Sequence, residues 1–221
     1  MGYEWSFGFL LRYTHLFWVG ICYTLAYTVG TVILGLLLGL FLGLARLVPS
    51  RLLNAPLIAF IELFRCTPLL VQIVWCYYAL PVILNLQIPA TAAATLVLSL
   101  YTAAFYAEIF RGGIVSIEQG QWDAARALGL HWAHVMRLVV LPQAVRRMVP
   151  PFMNQSIIQL KNTSLVSTIA VPDLLYQGTL ITADTYRPLE TYTVVALIYF
   201  ALLFPATRLV QAYEARLAAG K

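Results

Sequence analysis

Charged side chains are scarce in this sequence. Asp, Glu, Lys and Arg together make up 10% of its 221 residues, whereas apolar and aromatic types make up 61%. Soluble domains are typically about 25% charged, so this composition excludes an ordinary soluble domain. Together with a mean hydropathy of +0.81, it predicts a protein whose chain crosses a bilayer several times.

Cysteine is also sparse, and common catalytic motifs are absent. The chain has three cysteines, Cys22, Cys66 and Cys76. Their odd number and the lack of a CxxC pair argue against a disulfide framework or a metal site. His131 and His134 form an HxxH pair without a third ligand, a pattern more typical of surface histidines. The sequence lacks the GxxxxGK[ST], HExxH and GxSxG patterns. We therefore predict no catalytic residues, no metal and no cofactor.

Long apolar runs, in contrast, are abundant. Five runs reach the length that a helix needs to cross a bilayer, about 20 residues. Residues 1–15 lack the basic start and the cleavage site of a signal peptide, so we expect the first run to remain as an anchor. We predict an all-α integral membrane protein of one domain, 1–221, with five transmembrane helices at about 16–45, 55–80, 90–109, 148–169 and 192–207.

Basic residues are distributed unevenly between the two ends of these spans. With the N-terminus outside, only Arg12 and Arg187 fall outside, and Arg65 and Lys161 lie within spans. This positive-inside bias predicts an external N-terminus and a cytoplasmic C-terminus. It also explains the net charge of +5 better than nucleic acid binding does. The basic residues then in the cytoplasm are Arg46, Arg51, Arg111, Arg126, Arg137, Arg146, Arg147, Arg208, Arg216 and Lys221.

The first span carries glycines at a spacing of four residues. Gly35, Gly39 and Gly43 lie on one face of a helix. Small residues at this spacing allow two transmembrane helices to pack closely. The stripe therefore predicts either an interface between subunits or packing inside one subunit.

The most polar stretch, 113–147, separates the third and fourth spans and falls in the cytoplasm in this orientation. A first short helix is predicted at about 121–128, ended by Gly129 in the left-handed conformation. A second is predicted at about 131–140. It should end near Pro142, because proline supplies no N–H and disfavours helix in the preceding residue.

The same stretch resembles a known motif. Asp123-Ala124-Ala125 is followed by three residues and Gly129, and then by nine residues and Val139-Val140-Leu141-Pro142. This is similar to the EAA loop of ABC importer permeases, with Asp for Glu and Val for Ile. The alternative is an ordinary amphipathic loop. The resemblance implies short coupling helices that seat in a separate ATPase subunit through Asp123, Ala124, Ala125, Gly129, Leu141 and Pro142.

Three further segments resemble the polar amino acid permeases of such importers: 64–70 (FRCTPLL, with Cys66 where Gly is usual), 107–114 (AEIFRGGI) and 160–167 (LKNTSLVS). The resemblance implies a permease subunit that moves polar amino acids across the bacterial cytoplasmic (inner) membrane by alternating access. It also implies partners: ABC ATPase subunits inside, a second permease subunit that is identical or paralogous, an extracytoplasmic solute-binding protein and membrane lipid.

Ionisable residues within the spans are candidates for the substrate path, because burying a charge in a membrane is costly. Glu62 and Arg65, an i,i+3 pair, are either a structural ion pair or part of a gate. Glu108, near the cytoplasmic end of the third span, either lines an inner gate or pairs with Arg111 one turn away.

Four consecutive polar residues, Lys161, Asn162, Thr163 and Ser164, lie near the middle of the fourth span. They point to all sides of a helix, so they are enclosed by protein, line water or lie where the helix is partly unwound. A cation beside amide and hydroxyl groups suits the carboxylate of an amino acid. In the alternative, the hydroxyls bond carbonyls of their own helix and Lys161 reaches a partner subunit.

A self-contained secondary transporter or channel for small polar solutes is the alternative function. Such carriers often contain two matching halves, but five spans do not divide evenly and no internal similarity is evident. The outer segment 171–190 either receives a substrate-delivering protein or is a plain connector.

Overall fold

The computed structural model describes residues 3–219, with side chains as far as residue 217, and this part of the chain is helical without β-strands. A short 3₁₀ turn, Gly8–Tyr13, leads into the first helix, and a second 3₁₀ turn, Thr163–Ile169, precedes the eighth. A wider π-type turn, Val135–Val140, joins the sixth and seventh. The helices are α1 Thr14–Ala45, α2 Arg51–Cys66, α3 Leu69–Leu84, α4 Ala90–Val115, α5 Gln119–Ala127, α6 Trp132–His134, α7 Leu141–Asn162, α8 Leu174–Thr185 and α9 Pro188–Ala219.

The pair α1 and α4 forms the centre of the molecule, and the glycine stripe is the reason for its close packing. A Cβ atom added at Gly35 would lie 2.6 Å from Thr102 Cγ2, and one at Gly39 would lie 2.6 Å from Tyr106 Cβ. Gly43 likewise approaches the backbone of α4. Of the two readings of the stripe, packing inside one subunit is therefore the one that the structure supports.

The predicted second span, 55–80, is wrong as a single helix. The chain forms α2 and α3, which meet at an angle of 105°. Pro68 supplies no N–H and favours an extended conformation in Thr67, whose φ and ψ are −108° and 144°. The side-chain amide of Gln72 caps the break by donating to the carbonyl oxygens of Phe64 (3.0 Å) and Thr67 (3.1 Å).

Three of the predicted spans correspond to helices that are long and apolar enough to cross a membrane: Gly8–Ala45, Ala90–Val115 and Pro188–Leu217. The bent pair α2 and α3 gives a fourth if it acts as one span. The predicted fourth span coincides with α7, which begins at Leu141 instead of near residue 148 and is too rich in polar residues to qualify by composition. The count of five and the orientation stay predictions.

The 113–147 loop contains one helix that matches its prediction and one that does not. Gly129 has φ +71°, and the helix before it ends as expected, although it begins two residues early at Gln119. Pro142 does not end a helix. It is the second residue of α7, directly after the wider π-type turn Val135–Val140. The chain is helical from Trp132 through Asn162.

Candidate coupling loop and substrate path

The exposed face of helix α5 carries both small residues and charged side chains. Asp123, Ala124 and Gly129 are exposed, whereas Ala125 is buried. The side chain of Asp123 accepts a hydrogen bond from the Gln119 amide at 3.2 Å and lies 3.8 Å from the Arg126 guanidinium. Since both charged groups are exposed, this pair contributes little to stability. The outward face is therefore free to meet another protein.

The inner face of the loop joins α5 to the ends of α4 and α7. Ala125 packs in one apolar cluster with Val135, Val140 and Met148. Arg147 of α7 donates to the backbone carbonyl of Ser116, at the end of α4. The loop thus packs in one apolar cluster with the ends of α4 and α7.

Leu141 and Pro142, at the start of α7, are both exposed, on the same loop as α5. Their neighbour Gln143 donates to the Gln121 side chain of α5 at 3.3 Å. The structure therefore brings the two ends of the EAA-like pattern together.

Glu108 joins two helices instead of forming only the predicted pair with Arg111. Its carboxylate accepts a hydrogen bond from the Arg111 guanidinium at 2.9 Å and also forms an ion pair with Arg46, just after α1. The sequence reasoning missed Arg46, because 62 positions separate it from Glu108 and only the packing of α1 against α4 brings them together.

Glu62 and Arg65 form the predicted pair on α2, with 2.8 Å between carboxylate and guanidinium. Arg65 also lies 5.7 Å from the centre of the Phe105 ring of α4. Arg65, Phe105 and Glu108 line an open pocket of about 470 Å³, which Arg147 also borders. Three of the candidate path residues are thus near one another at one end of the helices.

The polar run Lys161–Ser164 lies where α7 changes to the 3₁₀ turn Thr163–Ile169, so the chain stays helical there and the partly unwound alternative is not what the structure has. Thr163 is buried and its hydroxyl donates to the carbonyl of Leu160 at 2.7 Å, while Ser164 donates to that of Lys161 at 2.8 Å. Both hydroxyls bond their own chain, as the structural alternative expected. Their partners lie three residues back because a 3₁₀ turn is tighter than an α-helix.

Lys161 and Asn162 are the members of this run that keep unused donors. Lys161 is exposed and forms no ion pair within the described residues. The side-chain nitrogen of Asn162 is buried beside the Tyr101 hydroxyl of α4, and it makes no well-formed hydrogen bond in this part of the chain. No hydrogen bond or ion pair links the run to Glu62 or Glu108 among the residues described.

A buried polar layer that the sequence reasoning missed lies one turn before this run. Gln159 is fully buried and donates to Thr31 of α1 at 2.9 Å and to the carbonyl of Leu98 in α4 at 3.4 Å. Gln155, buried four residues earlier, lies on the same face of α7. Its i,i+4 spacing with Gln159 was the available signal, since two amides on one helical face in a membrane require partners.

A second missed residue, Asp173, lies in the connection between the 3₁₀ turn and α8. It is fully buried and accepts hydrogen bonds from the backbone of Tyr176 (2.9 Å) and Leu175 (3.2 Å) and from the Tyr199 hydroxyl (3.2 Å). Burial raises the pKa of Asp173 to about 6, although these hydrogen bonds oppose the rise. The position before an apolar run was an N-cap signal.

Comparison with known proteins identifies relatives along most of the chain. The family of binding-protein-dependent transport system inner membrane components matches residues 35–219. The glutamine transport system permease protein GlnP of Escherichia coli (strain K12) is 38% identical over 174 residues, which cover 78% of this chain and 80% of that protein. The octopine transport system permease protein OccM of Rhizobium meliloti is 37% identical over 170 residues, covering 71% and 67%.

Two solved structures are similar in fold. A crystal structure of an amino acid ABC transporter with histidines has a TM-score of 0.91 and 36% identity, covering 97% of this chain and 100% of that chain. An inward-facing structure of the MetNI methionine ABC transporter has a TM-score of 0.64, covers 95% and 99%, and at 21% identity is similar in fold alone. The chain therefore belongs to the family of inner membrane components of binding-protein-dependent transport systems, the permease subunits of ABC importers.

Proposed function

We propose that this permease subunit carries polar amino acids across the bacterial cytoplasmic membrane, with the N-terminus outside and five membrane spans. The observation that carries the proposal is the 0.91 TM-score, over 97% of the chain, to an amino acid ABC transporter. Relatives named for glutamine and octopine transport support a polar, carboxylate-bearing substrate.

The coupling step is assigned to the exposed face of α5 and the start of α7. Asp123, Ala124 and Gly129 offer small side chains and one carboxylate, so the surface of an ATPase subunit can approach closely. Leu141 and Pro142 border the same surface, and Ala125 secures the helix from below. Because the loop packs on α4 and α7, closure of the ATPase pair would move both helices and alternate access to the path.

The substrate path is assigned to the part of the fourth span where α7 changes to the 3₁₀ turn. Lys161 and Asn162 keep donors that suit an amino acid carboxylate, and Thr163 and Ser164 shape the turn that presents them. Glu62, Arg65 and Glu108 would then line the inner end of the path, at the pocket that Arg65 and Glu108 share.

The assembly follows from the family. ATP is hydrolysed in a separate subunit, so we infer two ATPase subunits inside, a solute-binding protein outside and a second permease subunit, identical or paralogous. Segment 171–190 is the candidate surface for the binding protein. A self-contained secondary transporter loses its support, because the family works with partner subunits.

Purification of the full chain from its native membrane in mild detergent, followed by mass spectrometry, tests the proposal. An ATPase subunit is expected to copurify with the wild type and to be lost from Ala124→Trp, which places a large ring on the exposed face of α5. Leu52→Trp is the matched control, since Leu52 is highly exposed at the start of α2. A stable chain that copurifies with no ATPase subunit would overturn the coupling assignment.

A further inference from the structure

The first described residues are fastened to the junction of α8 and α9. The hydroxyl of Tyr3 donates to the Glu190 carboxylate at 2.5 Å, and the backbone N–H of Ser6 donates to it at 3.2 Å. Arg187 donates to the same carboxylate at 3.0 Å and also reaches the backbone carbonyl of Glu4 at 3.5 Å. Glu190 is fully buried as a result.

A second contact fixes the other end of this segment. The hydroxyl of Tyr13 donates to the carboxylate of Asp184, near the end of α8. Residues 3–13 are therefore held at both ends against the corner 184–190.

The outward side of the segment is a row of aromatic rings. Tyr3, Trp5 and Phe7 are 51%, 56% and 45% exposed. The Tyr3 and Trp5 rings meet edge to face with centroids 5.5 Å apart, and the Trp5 and Phe7 rings stack at 5.7 Å. Rings that pack on one another yet remain half exposed form a continuous apolar surface.

This surface continues in both directions along the molecule. Leu11 and Trp18, on the way from the row to the exposed apolar side chains of α1, are also exposed, with the polar Arg12 and His15 between them. Tyr186, which precedes Arg187, is 87% exposed and has φ 55°. A left-handed conformation is unfavourable for a residue other than glycine, and here it places a large amphipathic ring at the surface.

We propose that residues 3–13 and the corner 184–190 form an anchor that lies in the interfacial layer of the bilayer at the N-terminal end of α1, with Glu190 holding it there. Lipid is the occupant that the surface fits, because it continues directly onto the exposed apolar face of a spanning helix. Tyr and Trp rings favour this layer, where one edge meets apolar chains and the other meets water. The opposite charges of Arg187 and Glu190 are paired with each other.

The test measures Trp5 fluorescence in the full chain, reconstituted in vesicles of phosphatidylcholine with bromine either near the headgroup or near the chain end. A variant with Trp18, Trp75, Trp122 and Trp132 changed to Phe isolates the signal. We expect Trp5 emission to fall by roughly half with shallow bromine and by less with deep bromine, as for a ring at the interface. If acrylamide in the water quenches Trp5 and neither brominated lipid does, the proposal is overturned. Stronger quenching by deep bromine than by shallow bromine would overturn it as well.

Two further variants keep the proposal testable if the fourfold variant does not fold. Trp5→Phe in the otherwise native chain should reduce the shallow-bromine quenching relative to wild type, and an unchanged value would overturn the lipid contact. Glu190→Gln should increase the access of acrylamide to Trp5, whereas the matched Glu4→Gln should not. Equal access in these two variants would overturn the assignment of Glu190 as the holding residue.

Discussion

Two polar stretches interrupt this apolar chain, and they use polarity in opposite ways. In the 113–147 loop, the polar side chains face outward and small apolar ones, such as Ala125, form the attachment to α4 and α7. In the fourth span, Gln159 and Thr163 face inward. Gln159 fastens α7 to α1 and α4 and Thr163 bonds its own backbone, while Lys161 remains exposed. In the loop, the polar side chains remain exposed, whereas in the span most of them bond the chain's own backbone and neighbouring helices.

The largest effect is expected where neither stretch lies, in the α1–α4 packing on which both depend. Gly39→Leu should abolish folded protein, because its Cβ would lie 2.6 Å from that of Tyr106 and 2.9 Å from the carbonyl oxygen of Ala103. Overpacking of this kind costs about 1–3 kcal/mol or more. Gly30→Leu is the control, since a Cβ there meets nothing within 4 Å. Comparable yields of monodisperse protein from both variants would show that the close approach does not matter.

Lys161→Met should lower uptake about tenfold, as expected for the loss of one charged contact to substrate of about 1.5 kcal/mol, without lowering protein yield. The side chain is exposed and unpaired within the described residues, so its removal should leave the fold intact. Transport by reconstituted importer, compared with Arg216→Met on exposed α9, measures the difference. Equal uptake by the two variants would make Lys161 structural, like its neighbours.

The raised pKa of Asp173 should make the stability of the folded chain depend on pH. Burial raises its pKa from 3.8 to about 6, so the folded chain binds this proton more tightly than the unfolded chain does. Its contribution to stability is therefore complete below about pH 4 and is lost as the pH rises through about 6. Thermal unfolding across this range should show this dependence of stability on pH in wild type and in the exposed Glu118→Gln control. Asp173→Asn should remove it, and an unchanged slope would contradict the assignment.

Gln159→Leu should have the smallest effect. It removes the bonds to Thr31 and Leu98, and side-chain hydrogen bonds between membrane helices contribute about 0.6 kcal/mol on average. Thr31 keeps its own bond to the Tyr27 carbonyl at 2.6 Å. A fall of a few degrees in the unfolding midpoint is expected, and the exposed Gln211→Leu should cause none. Loss of transport with an unchanged midpoint would instead place Gln159 in the substrate path.

The features that the sequence predicted correctly are set by residues close to one another in the chain. The motif spacing identified the loop, Gly129 ended α5, and the pair Glu62–Arg65 formed as expected. Pro68 was visible in the sequence, but the 105° bend that follows from it was missed, because the length and overall apolar character of 55–80 favoured one helix. The ion pair of Arg46 with Glu108 and the burial of Asp173 depend on helices distant in sequence, so no local pattern could predict them. The prediction that a helix ends near Pro142 was wrong, because proline is common in the first turn of a helix as well as after its end.

The central claim is that the 113–147 loop of this subunit couples ATP hydrolysis in a partner to the transport of amino acids. Uptake by the copurified importer in sealed vesicles tests this claim most directly. Labelled polar amino acids, ATP and the solute-binding protein would be supplied in turn. Accumulation is expected only with all three, and Ala124→Trp should abolish it while Leu52→Trp retains it. Accumulation driven by an ion gradient without ATP, or equal uptake by the two variants, would contradict the account.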